Sequence, residues 1–342
     1  MYNENSGAQK VLWITIIHLI FTLTGSLFAQ IDLDEFKKLI NAQDGQKLDQ
    51  FKIEYDIECK ALSGHDDFTK ASSSPESGKI QGGSANGTVF YDFACILERD
   101  YKKYKYTVED KLAKVIIEYC SDGKIYWRNF PKTKVCQIDL VPGSFLPAPV
   151  DEFLFHYPST SSGPFSPVAA RTLSEMLANE NAIVKLDKDR LCIREKIKPN
   201  WFRVSEFVMK PEIGYLPISY SSHGEVDGAP FDPVVSINYN YKSFDGNWLP
   251  NLIEIKNIGS LVIDRSKGKD RPQPEAYKSY ELDQVTIKVK SVELNKSFDP
   301  DTFKFKILPN TTVIDKIADE RFEAINPSTT TKQLSDELKR QK

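Results

Sequence analysis

Residues 119–135, reading YCSDGKIYWRNFPKTKV, leave the chain few ways to fold. They are three short strand segments joined by two tight turns. The first turn, Ser121 to Lys124, carries Gly123, which tolerates the positive φ that a hairpin needs. The second is Pro131 to Lys134. Between them Ile125 to Phe130 forms an aromatic strand.

The same period recurs upstream. Phe51, Ile53, Tyr55, Ile57 and Cys59 fall on one face of an extended segment, with Lys52, Glu54, Asp56, Glu58 and Lys60 on the other. Strict alternation of this kind marks a half-buried strand of an antiparallel sheet. Strand patterns follow at Thr88–Leu97, Tyr104–Glu109, Lys114–Cys120, Lys124–Phe130 and Val135–Leu140. They resume at Ala182–Leu186, Leu191–Ile197, Phe202–Met209, Leu216–Ser221, Val234–Tyr241, Trp248–Lys256, Tyr280–Leu294 and Thr302–Ile307. A meander of short connections feeds an open or closed barrel.

Helical signals are few. Asp32 is an N-cap with Glu35 three residues on, followed by Leu33, Phe36, Leu39 and Ile40 on one face, and Asp44-Gly45 ends the segment. Ser166-Pro167 opens a second helix with Ala169, Leu173, Met176 and Leu177 as its apolar face. Residues 63–87 read as a polar surface loop, and 141–168 as a Pro-rich yet apolar excursion that must cover something.

At the N-terminus Lys10 precedes an apolar run from Val11 to Phe21, continued through Gly25, and Ala29 offers a small residue before a cut at Ala29/Gln30. This predicts a secretory signal peptide over residues 1–29; the run is shorter than the roughly 20 residues a spanning helix needs. Export permits disulfides among Cys59, Cys95, Cys120, Cys136 and Cys192, whose pairing the spacing leaves open. Cys120 and Cys136 fall on non-adjacent strands, roughly 10 Å apart and too far to bridge.

The DGK-x-x-W-x-x-x-P-x-x-K hairpin of residues 122–134 resembles the periplasmic lipoprotein-carrier (LolA-like) superfamily. So do Gly214 to Ile218 with Phe244-Asp245-Gly246-Asn247-Trp248-Leu249-Pro250, and the close from Phe298 through Pro309 to Asp315, where Asn310 stands at a usual glycine. The resemblance spans about residues 32–316, with gaps at 61–87 and 258–279. It implies a mainly β (α+β) fold: a curved antiparallel half-open β-barrel with a short N-terminal helix and lid helices over its concave face. The half-barrel would occupy 30–316, with 141–180 as the lid, and 317–342 would be a polar tail. It further implies a periplasmic, non-enzymatic protein that binds lipid or lipoprotein acyl chains for transport or sorting. A membrane-associated protein would be its partner; the alternative is an envelope sensor that binds a protein.

No nucleophile elbow, P-loop or metal-spaced His/Cys cluster appears, so no catalytic residue, cofactor or metal is expected. The net charge of −3 opposes nucleic-acid binding. Aromatic residues make up 11% of the chain, and large aromatics on a concave face suit acyl chains, which need apolar area more than directed polar groups. Trp127, Phe130, Phe145, Phe153, Phe155 and Trp248 are the candidate lining of the cavity and lid.

Overall fold

The structure is a computed structural model. It describes residues 31–44, 49–72, 86–140, 157–158, 170–227, 229–262, 277–299, 301–304, 307, 309–317 and 319–324. The predicted signal peptide and most of the predicted lid lie outside these residues.

The chain is mostly β. The first half holds β1 (Gln50–Ala61), β2 (Val89–Asp100), β3 (Lys103–Asp110), β4 (Val115–Ser121), β5 (Tyr126–Phe130) and β6 (Val135–Asp139). Short β7 (Tyr157–Pro158) and β8 (Ala170–Arg171) pair with each other. Then come β9 (Ala182–Asp187), β10 (Arg190–Lys198), β11 (Trp201–Lys210), β12 (Leu216–Val226), β13 (Ala229–Phe244), β14 (Asn247–Val262) and β15 (Tyr277–Leu294), and finally β16 (Thr311–Asp315) and β17 (Glu320–Ala324). Three helices interrupt them: α1 (Leu33–Asp44), α2 (Ser63–Ser72) and α3 (Leu173–Leu177).

Apart from β7 and β8, these strands form a single open sheet of 15, in the order β17-β16-β6-β5-β4-β3-β2-β1-β15-β14-β13-β12-β11-β10-β9. Sequential hairpins build both flanks, and the pairing of β1 with β15 joins them. The other non-sequential contact, β16 beside β6, is parallel. The turn chemistry follows the sequence. Asp245 and Gly246 both take positive φ between β13 and β14, as a type I′ turn requires, and Asn310 is left-handed with φ +57. At the first hairpin turn of the 119–135 stretch, Asp122 Oδ1 accepts the Lys124 and Ile125 amides while Gly123 takes φ +92.

One face of the sheet carries the main core. On β1 the residues Phe51 through Ala61 alternate between buried and partly exposed, as the sequence pattern requires. Directly paired residues share a face, so the buried set continues across Cys95 and Leu97, Tyr106 and Val108, and Tyr119 on one flank. On the other it runs through Val285, Ile287, Ile253, Ile255, Ile237, Tyr239, Tyr220, Phe207, Leu191 and Ile193. Two helices pack on this face. Asp32 caps α1, its Oδ1 accepting the Glu35 amide, and α1 buries Phe36 and Ile40 in the core, with Phe36 edge-on to Tyr215. Helix α3 begins with a reciprocal capping box between Thr172 and Glu175 and buries Leu173, Met176 and Leu177. Each fully buried Phe or Ile contributes about 1.5–3 kcal/mol, so Phe36→Ala would loosen α1 from the sheet.

The opposite face is charged over β1. Asp56 meets Lys111 and Lys290, and Glu54 meets Lys52. On the β4–β6–β16 flank it instead carries a second, smaller core of Cys120, Trp127, Cys136, Ile138, Ile307, Val313 and Ala324.

Three expectations change, and a fourth lies partly outside the described residues. Residues 63–72 form α2 rather than loop. The predicted second helix is described only over Leu173–Leu177; Ser166, Pro167 and Ala169 lie outside the described residues. Described residues of Thr302–Ile307 form no strand: Ile307 joins the small core, and Phe303 is buried edge-on to Phe298. Residues Glu320–Ala324, read as polar tail, pair with β16 as an edge strand.

Candidate functional site

Period-two geometry sorts the candidate residues. Trp127 pairs with Cys120 and Ile138, so it points into the small core on the charged side of the sheet and is only 3% exposed. Phe130, three residues on, points the other way and shares the apolar face with Tyr126 and Arg128. Trp127 is therefore a packing residue, separated by the sheet from Phe130. Phe145, Phe153 and Phe155 lie outside the described residues.

Trp248 is 39% exposed at the start of β14. It lines a half-open pocket of about 470 Å³ together with Met209, Ile213, Ile218, Tyr239 and Tyr241. Asp189, Lys210 and Glu212 also line it. Three features position this wall. The 3₁₀ turn Pro211–Ile213 ends in left-handed Gly214 and is held by Gln43 of α1, whose amide donates to the Gly214 carbonyl at 2.5 Å. Tyr241 donates its hydroxyl to the Pro217 carbonyl at 2.9 Å, which fixes its ring. Met209 and Tyr239 belong to the main core, so the pocket opens directly onto the apolar face. Its volume lies within the range of about 300–1,000 Å³ typical of ligand pockets.

Polar groups enter the apolar face at three places that the sequence reading did not single out. Tyr55 and Tyr106 hydroxyls lie 3.0 Å apart, and Tyr106 also donates to Cys95 Sγ at 3.5 Å. Burial raises both the Tyr106 phenol and the Cys95 thiol, the latter to about 12. At the β10 end, Glu195 accepts from Arg171 and Asn179, and burial of the carboxyl is outweighed by those hydrogen bonds and by the nearby Arg171 and Arg203 charges, so it titrates below the usual carboxylate range. Under α2, Asp283 accepts from Asn257 at 2.5 Å and from Cys59 at 3.7 Å, and burial pushes its carboxyl up despite those donors. Burial and the neighbouring Asp283 push the Cys59 thiol to about 12, which keeps it protonated and poorly nucleophilic. Among the described residues no group of three or more His, Cys, Asp or Glu side chains is arranged to hold a metal ion. No described helix is long and apolar enough to cross a membrane.

No family model and no curated protein matches the chain. Among solved structures, the ywiB protein from Bacillus subtilis aligns over 74% of this chain and 99% of its own, at 8% identity and a TM-score of 0.15. A superposition that loose carries no argument about fold or function.

Proposed function

We propose that the protein is a non-enzymatic binder of acyl-type amphiphiles, exported to the periplasm, with a half-barrel sheet whose apolar face is covered by α1 and α3. One observation supports this reading above the others: the pocket lined by Met209, Ile213, Ile218, Tyr239, Tyr241 and Trp248 opens onto the main core and leaves an indole at its rim. Apolar surface buried from water contributes about 25 cal/mol per Å², and the apolar part of this mixed wall needs no directed polar contact to hold a chain. Asp189, Lys210 and Glu212 also stand at this pocket and keep its mouth polar. Release then calls for an acceptor at a membrane, or for movement of the covering helices.

The test is organic extraction and mass spectrometry of the protein purified without detergent, paired with displacement of a fluorescent fatty-acid probe. A stoichiometric acyl species and a displaceable probe are expected. An empty protein that leaves the probe free overturns the reading and shifts the weight to recognition of a protein partner.

A further inference from the structure

Arg128 stands on β5 between Tyr126 and Phe130, all three on the apolar face, with Tyr119 of β4 and Gln137 of β6 directly opposite it. Its guanidinium carbon lies 5.1 Å from the centre of the Tyr119 ring and 5.9 Å from that of Phe130. The side chain is half-buried. Among the described residues its nitrogens donate no hydrogen bond and meet no carboxylate.

A half-buried guanidinium held against aromatic rings keeps its N–H groups available to an anion. The neighbouring carboxylates are committed elsewhere. Asp139, on the same face, pairs with Lys316 at 3.5 Å. Glu118 lies on the opposite face and accepts from Asn129 at 3.1 Å. Arg99 and Arg321 lie on the same face of the sheet, so its charge on this flank is not negative alone. The aromatic rings hold the guanidinium by cation–π attraction but use none of its N–H groups. Among the described residues the planar fork is thus positioned with its donors unspent.

We propose that Arg128 recognises an oxyanion, a carboxylate or a phosphate, at the head of an acyl ligand. A planar fork binds either group through two parallel N–H···O bonds. Phe130 and Tyr119 offer apolar ring surface beside that head, and Tyr119 belongs to the main core. The site lies on the β2–β6 flank, on the other side of β1 from the Trp248 pocket, so it is a contact separate from that pocket. The inference rests on the reading of the protein as an acyl binder.

The experiment titrates the full-length protein with dodecanoate, dodecyl phosphate and dodecanol, each below its micelle concentration. Wild type, R128Q and R128K are compared, with thermal unfolding of each variant as the folding control. At least one oxyanion is expected to bind wild type ten or more times tighter than dodecanol, and R128Q is expected to lose that preference while keeping its dodecanol affinity. Which oxyanion is preferred separates a fatty-acid source from a phospholipid-like one. R128K keeps the charge without the fork; it is expected to lose at least threefold and carries the test if R128Q does not fold. Equal binding of all three amphiphiles, unchanged in the variants, overturns the role of Arg128 and leaves the acyl reading standing. No binding of any of the three overturns both.

Discussion

Arg171 grips Glu195 through both terminal nitrogens, Nη1 at 2.7 Å and Nη2 at 2.5 Å, where the chain two residues before α3 meets the apolar face of β10. Asn179, just past α3, donates to the same carboxylate at 2.7 Å. Glu195 is 6% exposed, so the carboxylate is sheltered while the Arg171 side chain keeps contact with solvent. It ties both ends of a five-residue helix to the sheet.

Removing the carboxylate leaves a guanidinium that is only partly sheltered. Glu195→Gln is expected to cost about 1–3 kcal/mol, less than a fully buried broken pair, because Arg171 keeps partial contact with water. The folded carboxyl titrates below its unfolded value, near 4.3 for an ordinary Glu. The contribution of the pair is therefore complete above that value and is lost as pH falls through the lower folded value. Urea unfolding of both proteins between pH 7 and pH 2 should show wild type losing this increment on the acid side while Glu195→Gln does not. Parallel pH profiles would remove the pair from the account of stability.

Asp283 carries the opposite sign. Burial raises its folded carboxyl above the ordinary 3.8, so its share of stability is full below the unfolded value and is lost as pH rises through the folded one. Asp283→Asn keeps an oxygen for the Asn257 amide and removes the buried charge. The variant is expected to be more stable than wild type at pH 7, with the difference closing near pH 3. A less stable variant at pH 7 would show that the carboxylate is held by more than the Asn257 and Cys59 donors.

The two tryptophans should separate cleanly. Trp127→Ala opens a cavity in the small core and is expected to cost about 3–5 kcal/mol, with acyl-probe affinity per folded molecule unchanged. Trp248→Ala, at a rim position, is expected to leave stability within about 0.5 kcal/mol and to weaken probe binding tenfold or more. Calorimetric unfolding and probe titration on both variants decide this. Wild-type affinity in Trp248→Ala would rule out the Trp248 pocket.

All five described cysteines are free. Burial pushes the thiols of Cys59, Cys95, Cys120 and Cys136 to about 12, which leaves roughly one molecule in ten thousand as thiolate at pH 8. Cys192 is only half-buried on the charged face, although burial and Glu206 raise its thiol as well. Timed iodoacetamide labelling of native protein, read by peptide mass spectrometry, should modify Cys192 first. Equal labelling at a second position would mean that its strand opens on the same timescale.

Much of the sheet was legible because the side-chain period of a strand is two. The alternation of Phe51 through Cys59 gave both the strand and its buried face, Asp-Gly turns placed the hairpins at residues 122–123 and 245–246, and Asn310 takes its left-handed φ just before β16. Helix α2 was hidden for the converse reason. Its ten residues are polar apart from Phe68, and it is held by long-range contacts that no local pattern announces: Phe68 edge-on to Tyr280, and Gly64 so close to the Glu281 backbone that a β-carbon would clash.

The sequence by itself determined that the chain is a strand-dominated, antiparallel, one-sidedly apolar protein, since turn chemistry and hydrophobic alternation are local properties. It could also have shown that Trp127 and Phe130 lie on opposite faces, because an odd spacing in a strand guarantees it. Only the tertiary structure decided what those faces meet. The parallel pairing of β16 with β6, together with Ile307, turned the Trp127 side into a second core. Packing of α1 and α3 made the other side the main core, and long-range contacts decided which polar groups on it found partners. Glu195 found Arg171, Asp283 found Asn257, and among the described residues Arg128 was left with aromatic rings and unspent donors. Such pairings join residues far apart in sequence, and the free energy that selects them arises only once burial has removed water from both.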